Sequence, residues 1–367
     1  MSLRLKSRPL AVATAFVSGL ALLTTPAMAG AQQSNGPLGV QQVNLVSDQA
    51  GKAAIQDDDL VNAWGLSLGP TTPLWVSDNG MDVATLYSSA PGSNTATKVP
   101  TVRVTMPAPT GQVFNPGSGF VLSNGTTSAP ARFMFATETG QIAAWSPQVD
   151  PLIGAAELKV TTPGAVYKGL AFATTGSGDR LYAANFKQGR IDVFDSTFTL
   201  VKQPSGSFQD PRLPGGYAPF NVQTLNGRIF VSYAKTQPNS NDEVDGPSLG
   251  FVDEFTLDGH LVTRVASRGT LNAPWGLALA PAAWGQPAGT LLVGNFGDGH
   301  INIFEPKSNG KYRFAGQVRG TNGKTLAIDG LWALLQGTAT TGGTDVLWFS
   351  AGPDDESHGL LGQLRMP

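Results

Sequence analysis

Three features of the sequence predict an all-β chain folded as a six-bladed β-propeller. A strand–turn–strand phrase recurs six times, the composition is rich in turn residues without cysteine, and one strand near the N terminus has no local partner. The phrase appears as LWVSDNGMDVATLYS (74–88), FMFATETGQIAAWSP (133–147), LYAANFKQGRIDVFDS (181–196), IFVSYA with GFVDEFTLDG (229–234, 250–259), LLVGNFGDGHINIFEP (291–306) and VLWFSAG with HGLLGQLRM (346–352, 358–366). Each is an apolar strand, a polar or glycine-rich turn and a second alternating strand, the pattern of a β-hairpin. Asn226-Gly227 and Asp258-Gly259 stand where tight turns need positive φ.

Ahead of each hairpin lies a further short strand: AWGLSL, PTGQVF, YKGLAF, PFNVQT, PWGLAL and IDGLWA. Taking Gly65, Gly111, Gly169, Asn221, Gly276 and Gly330 as equivalent positions gives a period of about 53 residues, the scale of a propeller blade. Radial closure lets such meander sheets bury both faces without long open edges. The sixth unit has only three strands of its own. The orphan strand VQQVNLVSD (40–48) supplies the fourth and clasps the ring, and a seven-bladed ring fits less well.

With 45 Gly, 26 Pro and no Cys, the 367-residue chain must rely on its core rather than on disulfides. Arg4, Lys6 and Arg8, the apolar run Pro9 to Leu23 and the small-residue site Ala27-Met28-Ala29 read as a signal peptide over 1–29 that is cleaved on export. Residues 30–39 then form a flexible segment and 40–366 a single propeller domain. The expected product is secreted, extracytoplasmic, monomeric and free of membrane spans. A formal charge of −2, more acidic once the leader is removed, argues against a nucleic-acid partner.

In an up-and-down blade the middle hairpin turn lies at the same end as the start of the innermost strand. The residues before the six markers, Trp64, Thr110, Lys168, Phe220, Trp275 and Asp329, should therefore ring one mouth of the channel. With blades 3 and 6 opposite, Lys168 is expected to face Asp329, flanked by Trp64 and Trp275. Trp64, Lys168, Phe220, Trp275 and Asp329 are the candidate ligand contacts. Asp298 and His300 of blade 5 and Asp354, Asp355, Glu356 and His358 of blade 6 share that face, beside the acidic blade 4 loop with Asp242, Glu243 and Asp245. Carboxylates with imidazoles are a candidate site for a divalent cation such as Ca²⁺, against the plainer reading of a solvated acidic rim. GNFGDGH leads into the strand INIF rather than a helix, so it is a turn and not a phosphate cradle.

VNAWGL, APFNVQ, NAPWGLALAP, LLVGNFGDGHIN, IDGLWAL and AGPDDESHGLLG resemble the motifs of an uncharacterised bacterial family of secreted proteins. The resemblance covers residues 40–366 and implies a six-bladed propeller akin to NHL-type and lactonase-type propellers. Some members carry a C-terminal sorting tail, whereas this sequence ends at Met366-Pro367. The family supplies no activity. Lactonase-type propellers gather a cation through acidic and Asn residues at the mouth, and here only Asp329-Gly330 fits that pattern. Two functions compete: a binding module for a small molecule, glycan or envelope protein on the mouth face, and a metal-dependent hydrolase of lactonase or esterase type. The missing ligands favour binding. No Gly-x-Ser-x-Gly elbow and no cysteine nucleophile is present.

Overall fold

The computed structural model describes residues 39–367, so the expected signal peptide (1–29) and nearly all of the 30–39 segment lie outside the described residues. Six antiparallel sheets are built in chain order, with the innermost strand of each first. Blade 1 comprises Ala63–Ser67, Leu74–Asp78, Val83–Ser88 and Arg103–Thr105. Blade 2 comprises Pro109–Phe114, Phe133–Thr137, Gln141–Trp145 and Glu157–Thr161, with a small hairpin (Val121–Ser123, Ser128–Pro130) inserted after its first strand. Blade 3 has Tyr167–Thr175, Gly178–Asn185 and Arg190–Asp195, and only a single bridge, Phe194 to Leu200, stands for a fourth strand. Blade 4 has Tyr217–Leu225, Arg228–Thr236, Phe251–Phe255 and Leu261–Ser267, and blade 5 has Pro274–Leu279, Leu291–Asn295, Ile301–Pro306 and Tyr312–Gln317.

Blade 6 joins the two ends of the described chain. Leu331–Gln336, Leu347–Ala351 and Leu360–Arg365 are completed by Gly39–Ser47, which pairs antiparallel with the last strand from Gln41 opposite Arg365 to Ser47 opposite Leu360. This is the clasp expected from the orphan strand. It is held by packing as well as by backbone bonds, because Val40, Leu45 and Val46 are fully buried together with Leu361 and Leu364.

Second strands are buried along their whole length in blades 1, 2, 5 and 6, since each is covered by sheets on both sides. Glycine is required where innermost strands converge. A Cβ on Gly65 would lie 2.2 Å from Thr110 O, and one on Gly111 would lie 2.4 Å from the Leu170 amide nitrogen. The Asn226-Gly227 turn has φ of 48° and 71°, as its sequence requires. Among the described residues no helix is long and apolar enough to cross a membrane.

Replacing Leu45 with Ala tests the clasp. The substitution should cost about 3 kcal/mol in chemical denaturation, in the range for a fully buried leucine. A loss below about 0.5 kcal/mol, typical of an exposed site, would show that the terminal strand is not part of the folded core.

Candidate functional site at the channel mouth

One hydrogen bond, repeated around the ring, establishes which residues of the blades are equivalent. The residue following the second strand donates its N–H to the carbonyl of a residue just before the innermost strand or at its start. The pairs are Asn79 to Asn62 (3.1 Å), Glu138 to Ala108 (3.1 Å), Phe186 to Val166 (2.9 Å), Phe296 to Ala273 (3.0 Å) and Gly352 to Gly330 (2.9 Å). The acceptor residue has positive φ in four blades: Asn62 46°, Ala108 39°, Ala273 43° and Gly330 62°. In blades 1, 2, 3 and 5 this residue precedes the marker glycine by three positions.

Gly330 is therefore not the blade 6 marker; Ala333 is. This corrects the ring deduced from the sequence. The residue facing the channel from blade 6 is Trp332, fully buried, whereas Asp329 is exposed and its Oδ2 accepts the Asp354 N–H at 3.0 Å. Asp329 is not among the ion-pair partners of Lys168. The blade 6 turn falls three residues later than the repeated spacing suggested, and the Trp-Gly-Leu of blades 1 and 5 aligns with Trp332-Ala333-Leu334.

Trp64, Phe220, Trp275 and Trp332 close the channel with Phe186 and Phe296 from the hairpin turns. Trp64 stacks on Trp332 with ring centroids 3.7 Å apart, and Phe296 stacks on Trp332 at 4.1 Å. Trp275 stands edge-on to Trp332 at 5.9 Å. Its Nε1 donates to Lys168 O (3.0 Å), while Trp332 Nε1 donates to Asn62 Oδ1 (2.8 Å). Trp64 Nε1 is buried without an acceptor. Thr110, the sixth member of the ring, donates its hydroxyl to Tyr167 O at 2.7 Å.

Lys168 sits on this aromatic floor. Its Nζ is 5.1 Å from the Trp64 ring centroid and 5.9 Å from that of Phe220, and the residue is 2% exposed. A buried ammonium needs carboxylates. Glu138 lies at 3.1 Å, Glu243 at 3.4 Å and Asp242 at 4.0 Å. Burial alone would lower the Lys168 pKa, but the charges of Glu243 and Glu138 outweigh it and hold it above the ordinary value. Glu243 is aimed inward because Glu243–Val244 pairs back on Thr236 and Lys235.

Glu356 completes the cluster. Asp354, Asp355 and Glu356 have φ of 56°, 53° and 65°, three successive non-glycine residues in the left-handed region, each costing about 1 kcal/mol. Glu356 Oε2 accepts a 2.6 Å hydrogen bond from Asn62 Nδ2. The network continues through Asn62 Nδ2 to Asn79 Oδ1 (3.3 Å) and Asn79 Nδ2 to Glu138 Oε2 (3.1 Å). Burial, then the charge of Glu243, raises the Glu356 carboxyl to about 7.

The six metal candidates are not brought together. Asp298 caps its own turn, accepting from Asn295 Nδ2 (3.0 Å) and the His300 N–H (3.1 Å). His358 Nδ1 lies 2.6 Å from Asp48 Oδ2, so this imidazole belongs to the clasp. Asp354 and Asp355 are exposed, and Glu356 turns inward alone. Among the described residues no group of three or more His, Asp or Glu side chains is set to hold a metal ion. Sequence reasoning missed Trp332, Glu138, Asn62 and Asn79. The residue just after the second strand in blades 1, 2, 3 and 5 (Asn79, Glu138, Phe186, Phe296) was the available signal, because in those blades that position overlooks the mouth.

No family model matches the chain. Two proteins of Acanthamoeba polyphaga mimivirus match most of its length. Uncharacterized protein R648 is 35% identical over 330 residues, spanning 87% of this chain and 78% of the relative. Uncharacterized protein L690 is 37% identical over 329 residues, spanning 87% and 84%. The chain belongs to the family of R648 and L690. That family has viral members, so the bacterial origin implied by the motif resemblance is not supported, and neither relative's name gives an activity. Among solved structures, a protein of unknown function from Bacteroides thetaiotaomicron has a TM-score of 0.49 at 12% identity, covering 89% of this chain and 76% of that one. A streptogramin B lyase has a TM-score of 0.46 at 12% identity, covering 89% and 97%. Neither likeness carries an activity to this member of the R648 and L690 family.

Two stability measurements probe the cluster. Lys168→Met leaves Glu138 and Glu243 without their counter-charge and should cost about 3–5 kcal/mol in denaturant unfolding. Adding Glu243→Gln should recover part of that loss, and strict additivity of the two changes would argue against the pair. For Glu356, the folded-state pKa of about 7 lies above the ordinary 4.5. Stability contributed by its protonated form is thus complete below about 4.5 and falls as pH rises toward 7, by on the order of 2–3 kcal/mol. Glu356→Gln should remove this fall, so that its melting temperature gains on wild type between pH 5 and pH 8. An equal difference at both pH values would contradict the assigned environment.

Proposed function

We propose that this propeller is an extracytoplasmic binding module that receives a cationic group of its ligand, an amine or guanidinium, at the channel mouth. One observation carries the reading. A single ammonium, Lys168, faces the carboxylates of Glu138, Asp242 and Glu243, with Glu356 joined to the same network through Asn62 and Asn79. The mouth therefore holds negative charge in excess over the floor of aromatic rings. Asp242, with 70% of its side chain exposed, and Glu138, with 25%, present that excess to solvent. A cation arriving there gains charge-assisted hydrogen bonds without displacing Lys168. The scattered metal candidates give the hydrolase reading no comparable support.

Calorimetric titration with spermidine at low ionic strength tests the proposal. Binding should be saturable, weaken steeply as salt is raised, and drop about tenfold in the Glu138→Gln/Asp242→Asn variant, the equivalent of 1.4 kcal/mol. No heat at millimolar spermidine, or equal affinity in the variant, would rule the reading out.

A further inference from the structure

The face opposite the acidic mouth carries a pocket of its own between blades 3 and 4. Blade 3 lacks a full fourth strand. After the bridge from Phe194 to Leu200, Val201 donates its N–H to Val193 O (2.8 Å) and the chain then leaves for blade 4. That segment and the blade 4 turn around Asp258 enclose about 230 Å³, bordered by Ser177, Arg180, Tyr182, Lys202, Asp258 and His260 among others. Tyr182 ties the two blades together, its hydroxyl donating to Leu257 O at 3.0 Å.

Two cations border the pocket without a counter-ion. Arg180 is half-buried, and among the described residues its guanidinium makes one hydrogen bond, Nη1 to Asp179 O (2.9 Å), of the five its N–H groups allow. The carboxylates closest to it along the chain and across the sheet are engaged elsewhere. Asp179 Oδ1 accepts from Thr174 Oγ1 at 2.7 Å. Asp195, opposite Arg180 in the ladder, uses Oδ1 to accept from the Thr197 N–H, the Thr197 hydroxyl and the Thr199 N–H. Lys202, Asp258 and His260 are exposed, so a ligand can reach them, and among the described residues their side chains have no hydrogen-bond or ion-pair partner. With His260 neutral, two positive charges face one negative.

We propose that this pocket binds one small hydroxylated carboxylate. The surplus of a single positive charge is balanced by one carboxylate, whereas a dianion would be repelled by Asp258 and a cation by Arg180 and Lys202. A planar carboxylate fits the guanidinium fork of Arg180 in a bidentate pair, with Lys202 as a further donor. A hydroxyl on the neighbouring carbon donates to Asp258, which an unsubstituted acid leaves facing a C–H group. The volume lies below the range of about 300–1,000 Å³ for drug-sized ligands, which suits an acid of a few carbons. This site is independent of the cation-binding reading of the mouth.

Calorimetry and saturation-transfer NMR with glycerate, propionate and glycerol separate the parts of the assignment. Glycerate should bind saturably at millimolar concentration, propionate about fivefold more weakly for want of the hydroxyl, and glycerol not detectably. Lys202→Ala, at an exposed position, should weaken glycerate binding about tenfold without changing the melting temperature. Asp258→Asn keeps an Asn-Gly turn and should narrow the preference for glycerate over propionate. Glu138→Gln on the other face should leave both affinities unchanged. The proposal is overturned by no saturable binding of glycerate, by equal affinity in Lys202→Ala, or by propionate binding as tightly as glycerate.

Discussion

Antiparallel pairing of Gly39–Ser47 with Leu360–Arg365 is the constraint on which the mouth depends. It brings blade 1 against blade 6, and the decisive contacts of the site cross that seam. Asn62 and Glu356 are 294 positions apart in the chain, and Asn62 and Trp332 are 270 apart. Ser350, within the second strand of blade 6, donates its hydroxyl to the carbonyl of Trp64. His358 and Asp48 add a side-chain link 310 positions apart. These bonds form only when the ring closes, so the Glu356 side of the acidic network is a consequence of closure.

The two ends of the channel differ in charge, and what fills the space between them bears on why. Six aromatic rings exclude water from the upper channel, which makes an ammonium placed on them costly unless carboxylates surround it. Glu138 and Glu243 meet that need, Asn79 donates to the second oxygen of Glu138, and Asn62 donates to Glu356. Below the plug the innermost strands approach so closely that glycine is required at Gly65 and Gly111, and the lining there mixes the amides of Gln112, Asn221 and Gln223 with leucine side chains.

Much of this architecture was legible in the sequence. The recurring hairpins revealed six blades, and the partnerless VQQVNLVSD segment pointed to the clasp. Trp64, Lys168, Phe220 and Trp275 could be assigned to the mouth because each precedes a residue whose small size or backbone role repeats. Blade 6 defeated the same logic. Its Asp-Gly pair imitates the marker, yet Gly330 is the turn residue with positive φ and Trp332-Ala333 the true equivalent. Glu138 was hidden for another reason: a glutamate in a Thr-Glu-Thr-Gly turn looks like ordinary solvated polarity, and only the geometry of the ring turns it toward Lys168. The inward aim of Glu356 was beyond sequence reasoning, since it depends on three left-handed residues in succession, none of them glycine.

The clasp has a mechanical consequence. Gln41 lies opposite Arg365 and Ser47 opposite Leu360, so the outward ends of the two strands are side by side. Tension applied between them would open the ladder rung by rung from Gln41, loading one rung at a time instead of shearing all of them together. The toroid is therefore strong against thermal agitation, which must break the whole packed seam cooperatively, and comparatively weak against a pull on its two tails.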